Sequence, residues 1–134
     1  MKAIIDLAKK PQSGIVAFVE GKLLRMFIDL KNAERHEIDE EGHDTVITAD
    51  DQFECRSIDT DQLSYGGIVD AIITENYPLS SQYAILANKQ LADDPESKIT
   101  EEKRAEYIAD YNAFQTYRQY AKDTAHAVCE MLDL

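Results

Sequence analysis

The chain is poor in cysteine, in basic residues and in long apolar runs, and each shortage removes a class of function. Cys55 and Cys129 are the only cysteines among 134 residues. They lack C-x-x-C spacing, so neither thiol–disulfide exchange nor a cysteine-based metal site is written into the sequence. Both read as small buried apolar residues, and without export a disulfide is not expected. Lys and Arg number 14 against 26 Asp and Glu, a net charge of −12. A chain with no surplus of cations has little with which to release counterions from a phosphate backbone, so nucleic acid is not expected as a partner. The acidity suits solubility or a basic partner surface. No stretch approaches the ~20 apolar residues of a membrane span. Asp6 and the lysines after it interrupt the N-terminal apolar stretch before a signal-peptide core can form. These features predict a cytoplasmic protein with no membrane partner.

What is present is enough apolar material for one folded domain. The hydrophobic share is 44%, which argues against disorder, and the length suits a single domain spanning residues 1–134. The period of the apolar residues divides it into a mainly β part, 1–63, and a mainly α part, 64–134. Met1 to Leu7 reads as a short edge strand. Gly14 to Glu20 and Lys22 to Leu30 read as a hairpin turning at Glu20-Gly21. Phe27, on the otherwise polar face of the second strand, suggests that this strand is covered on both sides. Lys31-Asn32-Ala33 reads as a further turn and Glu34–Ile38 as a short strand. An acidic loop, Asp39–Asp44, precedes a weak strand at Thr45–Thr48 and a cleanly alternating one at Phe53–Ile58. Around Ser64 the period lengthens from two to about three and a half.

The pairs Ile68/Val69 and Ile72/Ile73 form the stripe of a short helix, ended by Pro78. Ser80 reads as the cap of the next helix, with Tyr83, Leu86, Ala87 and Leu91 as its packing face and Asp94-Pro95 as its stop. From Thr100 onward there is neither Gly nor Pro. Thr100 is a natural N-cap, followed by Glu101 and Glu102 at the positive end of the helix dipole. Ile108, Tyr111, Phe114, Tyr117, Ala121, Ala125, Val128 and Leu132 recur every three or four residues on one face. Unbroken, this helix would be ~50 Å long, more than the ~30 Å breadth of so small a domain. It should therefore project, bend or meet another chain. A strict heptad seam is spoiled by Asp110 and Thr124. The expected fold is α+β: a small antiparallel sheet followed by three helices packed on it, the last one long. Short loops predict antiparallel helices.

Few constellations suggest chemistry. Aligning Gly42 with the glycine of a calcium loop puts Thr48 where a bidentate Glu is required. His36 and His43, with Asp44, have no zinc-ligand spacing, yet could serve a small metal-dependent hydrolase if they converged in one cleft. His126 and Cys129 share a helix without a nameable third catalytic partner. Gly66-Gly67 precedes a helix but matches no phosphate-loop pattern, and reads as the turn from sheet to helix. No cofactor, metal ligand or catalytic residue is assigned.

The segments Tyr65–Ile73, Tyr77–Ser80, Ala84–Asn88, Glu106-Tyr107 and Tyr111–Phe114 resemble small uncharacterised proteins encoded by prophages of gut bacteria. Such proteins typically lie among phage structural and tail genes. The resemblance covers the C-terminal half firmly and Glu34–Cys55 loosely. It implies a non-enzymatic, tail-region structural or assembly protein that acts through protein contacts. Its expected partners are other phage or host proteins and further copies of itself, in the bacterial cytoplasm or in a virion. The expected contact residues are Tyr117, Tyr120, Ala125, Val128, Met131 and Leu132, since Tyr is favoured at interfaces and the C-terminal turns lie farthest from the body. An alternative is an acidic phage-encoded inhibitor that occupies the nucleic-acid-binding surface of a host protein.

Overall fold

The computed structural model describes residues 1–134 throughout. The chain divides into two compact units, Met1–Leu63 and Ser64–Leu134, so the change of unit falls where the sequence period changes.

The first unit is a four-stranded antiparallel sheet in the order β1-β4-β3-β2. Its strands are β1 (Lys2–Asp6), β2 (Val16–Glu20), β3 (Leu23–Ile38) and β4 (Asp44–Thr60). The β2–β3 turn takes Gly21 into the left-handed region at φ 65°, which glycine adopts without steric cost. The expected turn at Lys31-Asn32-Ala33 is not there. β3 runs through it as one 16-residue strand, and the two short strands foreseen after the acidic loop are likewise one 17-residue β4. Two irregularities in the β3–β4 ladder make this possible. Between the pairs Ile28↔Arg56 and Lys31↔Glu54, β3 holds one residue more than β4, with Asp29 at φ 57°. Such a bulge reverses the alternation of side chains between faces. Before it, Leu24, Met26 and Ile28 point to one face, all fully buried. After it, Leu30 joins the opposite face beside Phe53 and Cys55, where Ile5, Val16 and Phe27 pack against the cluster. The sheet therefore has apolar residues on both faces, as Phe27 suggested.

The second irregularity lies between Asn32↔Phe53 and Glu34↔Thr48, with the extra residues on β4. There Asp51 and Gln52 turn to β1: the Leu7 amide donates to the Asp51 carbonyl at 2.9 Å, and Asp6 pairs with Gln52. The Asn32 side-chain amide donates to the Ala49 carbonyl at 2.9 Å and bridges the break. Beyond it only β3 and β4 continue. They form a two-stranded arm, Glu34–Ile38 against Asp44–Thr48, ~17 Å long at ~3.4 Å per residue.

The second unit contains α1 (Tyr65–Asn76), α2 (Leu79–Asp93) and α3 (Glu101–Leu132). α1 is capped by Ser64, whose hydroxyl accepts from the Gly67 amide at 3.2 Å. The two glycines therefore sit in the first helical turn and do not form a loop ahead of it. α2 starts after Pro78 with no side-chain cap. Ser80, expected as its cap, lies inside the first turn. Thr100 caps α3 as foreseen, accepting from the Lys103 amide at 3.1 Å.

Contacts along α3 show how its length is used. Tyr65 stacks on His126, while Tyr77, at the far end of α1, meets Phe114 and Tyr117. α1 thus runs antiparallel to the C-terminal half of α3. On α2, Lys89 lies over the Tyr111 ring and the Ala92 carbonyl accepts from the Arg104 guanidinium. α2 thus runs antiparallel to the N-terminal half. The short helices follow one another along the long one. At 12 and 15 residues they line ~40 Å of a 32-residue helix ~48 Å long. The length that suggested a projecting end or a partner chain is explained by two successive helices within the same unit.

Candidate protein-contact surfaces

The residues expected to meet a partner divide sharply. Val128 and Ala125 have no exposed surface at all. They belong to the buried side of α3 with Phe114, Ala121 and Thr124 and are removed from the candidate surface. Tyr117 and Tyr120 are half-buried in an aromatic cluster with Tyr77 and Phe114, at centroid separations of 5.0–5.5 Å. The Tyr117 hydroxyl donates to the Ile72 carbonyl at 3.4 Å. Tyr117 thereby ties the C-terminal end of α1 to α3. Leu132 is half-buried, and of the six only Met131 is exposed, at 48%. The error has a simple cause: apolar side chains on a helix look the same in sequence whether their cover is another helix of the chain or another molecule.

The exposed apolar surface is on α2. Its inner side, toward α3, is made of Gln82, Ile85, Asn88, Lys89 and Ala92, all half-buried or buried. The face expected to pack is turned to solvent: Leu79 is 57% exposed, Tyr83 67%, and Leu86 and Leu91 each 44%. Ser80, Ala84, Ala87 and Gln90 lie between them, also exposed. No charged residue stands among these eight. The two charges on α2, Lys89 and Asp93, are bonded to each other at 2.6 Å beside α3. Large apolar residues on the solvent side depart from the usual arrangement of a surface helix. Arg104 fastens the C-terminal end of α2 to α3. Its guanidinium donates to the carbonyls of Ala92 and Asp94 at the end of α2, leaving those acceptors satisfied.

The β3–β4 arm is the second distinctive surface. Between Glu34 and Asp44 the sequence holds six carboxylates and one arginine, so this short segment supplies much of the chain's negative charge. Ile38 and Val46 are exposed on the same arm. Its tip is a tight turn in which Asp39 Oδ1 accepts from the amides of Glu41, at 2.9 Å, and His43, at 2.8 Å. The His43 amide bond is the main reason that the Asp39 carboxyl is held below its ordinary pKa, since hydrogen bonds to the charged form favour it.

The histidines do not converge. His36 Nδ1 lies 3.0 Å from Asp44, and His43 Nδ1 lies 3.0 Å from Asp39. Each pairs with its own carboxylate in an exposed position. The single cleft that the hydrolase reading requires is therefore not formed by His36, His43 and Asp44. Two open cavities, of about 740 and 530 Å³, lie on the sheet unit, and neither is lined by histidine. No three His, Cys, Asp or Glu side chains are gathered to hold a metal ion. Cys55 is buried, donates weakly to the Ala3 carbonyl at 3.7 Å, and has its thiol pKa raised by desolvation, the setting of an inert thiol. His126 stacks on Tyr65 at 4.3 Å. No helix is long and apolar enough to cross a membrane. Comparison with protein-family models, with curated proteins and with solved structures found no match for this chain.

Proposed function

We propose that this chain is a non-enzymatic, phage-derived structural or assembly protein that works through protein–protein contacts in the bacterial cytoplasm or in a virion. The observation that carries the contact reading is the outward face of α2. Contiguous exposed apolar residues mark interaction sites on soluble proteins, and a tyrosine among uncharged neighbours is the composition of an interface centre. The phage attribution rests on the resemblance of the α1 and α2 segments and the first half of α3 to prophage-encoded proteins. Particles purified from an induced lysogen that carries the gene should contain the chain by mass spectrometry after a density gradient. Its absence from particles and from assembly intermediates alike would overturn the assembly role.

A second reading, the acidic inhibitor, is favoured by the concentration of carboxylates on the β3–β4 arm. Host proteins retained on the immobilised chain should then be released by duplex DNA. They should not be retained by a Glu37→Gln, Glu40→Gln, Glu41→Gln variant. Retention that ignores both DNA and the substitutions would remove this reading.

A further inference from the structure

The β3–β4 arm has an open strand edge on each side, and the two edges differ. β1 reaches only Gln52 of β4, with one further bond from the Leu7 amide to the Asp51 carbonyl. β2 pairs with β3 only as far as Phe27. Along the arm each strand therefore turns alternate N–H and C=O groups away from its partner, as edge strands do. The β3 edge is defended. Lys31, Glu34, Arg35 and Glu37 lie along it, and charged side chains keep an edge from recruiting another strand. The β4 edge is not. Thr45-Val46-Ile47-Thr48 is an uncharged, wholly β-branched run, the kind of side chain best suited to a pleated strand, and Val46 is 50% exposed. Such an edge accepts an extended segment through main-chain hydrogen bonds. At its base the open cavity of about 530 Å³ is lined by Ile47 and Ala49 with Ile4 of β1, which leaves room for a side chain of the added strand.

Charge chooses the occupant. Asp44, bonded to His36, stands at one end of this edge and Asp50-Asp51 at the other. An added strand would lie ~4.8 Å from them. Glu34 lies one strand farther, at ~10 Å, about a Debye length at moderate salt. Arg35, the arm's only arginine, is paired with Glu37 at 3.1 Å. A second copy would bring the six carboxylates of one arm against the six of the other, which like-charge repulsion opposes. A segment of lysine or arginine alternating with apolar residues satisfies both the backbone of the edge and its acidic ends. We infer that the free edge of β4, over Asp44–Asp50, takes a basic extended segment of another protein as a third strand of the arm. This rests on the protein-contact reading above and names the chemistry of a partner.

The probe is a fluorescently labelled peptide, Lys-Val-Lys-Val-Lys-Val-Lys, titrated with the full chain at low salt and followed by anisotropy. Half-saturation is expected at about 100 μM or below. The same peptide N-methylated at every residue keeps its charges and loses its backbone donors, and should bind at least about tenfold more weakly. A peptide with Glu in place of each Lys should not bind. Val46→Lys and Thr48→Lys, each placing a cation on the edge, should weaken binding of the first peptide at least about tenfold. Both positions are exposed, so thermal melting of these variants should be unchanged. Amide hydrogen exchange within Thr45–Ala49 should slow when the peptide is bound. Equal binding of the N-methylated peptide overturns the strand addition, and binding of the Glu peptide overturns the selection by charge. No binding up to about 1 mM, or protection that falls outside the arm, overturns the site altogether. A dimer of the chain alone, seen by light scattering and abolished by Val46→Lys, gives the edge to a second copy and overturns the basic occupant. None of these results bears on the presence of the chain in particles, so the assembly role stands or falls separately.

Discussion

Phe53→Ala should lower the unfolding free energy by about 3–5 kcal/mol, the range for removing a buried aromatic ring from a packed core. Phe53 is 1% exposed and stands on β4 between two strands, paired with Ile5 of β1 and Asn32 of β3. Its ring is central to the cluster with Leu30 and Cys55. Alanine would leave a cavity at the point where three strands meet, immediately beside both ladder irregularities. The sheet can close such a cavity only by shifting β4, and β4 is paired on both edges. Urea unfolding followed by circular dichroism measures the effect. A loss under about 1 kcal/mol would show that the Leu30–Phe53–Cys55 cluster is not the core of this face.

The second large effect concerns the far end of α3. Val128→Asp should cost more than about 3 kcal/mol, because a carboxylate at a position without exposed surface has neither water nor a partner. Met131→Asp, three residues later and 48% exposed, should change stability by less than about 0.5 kcal/mol. The contrast separates two assignments of the same stretch of helix. A partner surface would leave both variants stable as isolated chains and weaken association in both. A core position at Val128 destabilises the isolated chain at every concentration. Thermal melting across a concentration series reads the difference, and equal melting of the two variants would return Val128 to the surface.

How much of this was legible before the fold was known differs from element to element. The β1 strand, the Glu20-Gly21 hairpin turn, the α1 stripe and the Thr100-capped long helix all follow from short-range rules. Their signals, alternation, a glycine at positive φ, an apolar period and a hydroxyl cap, act within a few residues. The division near Ser64 is local in the same way, although the Ser64 cap itself was missed because the glycines after it read as the turn from sheet to helix. Lys31-Asn32-Ala33 misled for the opposite reason. Its composition suits a turn, but the backbone hydrogen bonds offered by β4 outweigh that preference, and the bulge at Asp29 absorbs the change of face. A bulge has almost no sequence signature except a residue that tolerates φ > 0, and aspartate is one of several that do.

The contact surface was the least legible part. Val128 and Tyr83 carry the same signal, an apolar residue at helical spacing, yet one is wholly buried and the other 67% exposed. Periodicity establishes that a helix has an apolar face; it does not say what lies against that face. The amino-acid sequence by itself determined the α+β class, the three helices and the acidic character, because propensity, period and charge are properties of neighbouring residues. Tertiary structure alone decided that β3 and β4 are each continuous, that α1 and α2 share the length of α3, and that the apolar side of α2 looks outward. Those outcomes depend on pairings between residues tens of positions apart, whose energies are set by geometry that no short stretch of chain contains.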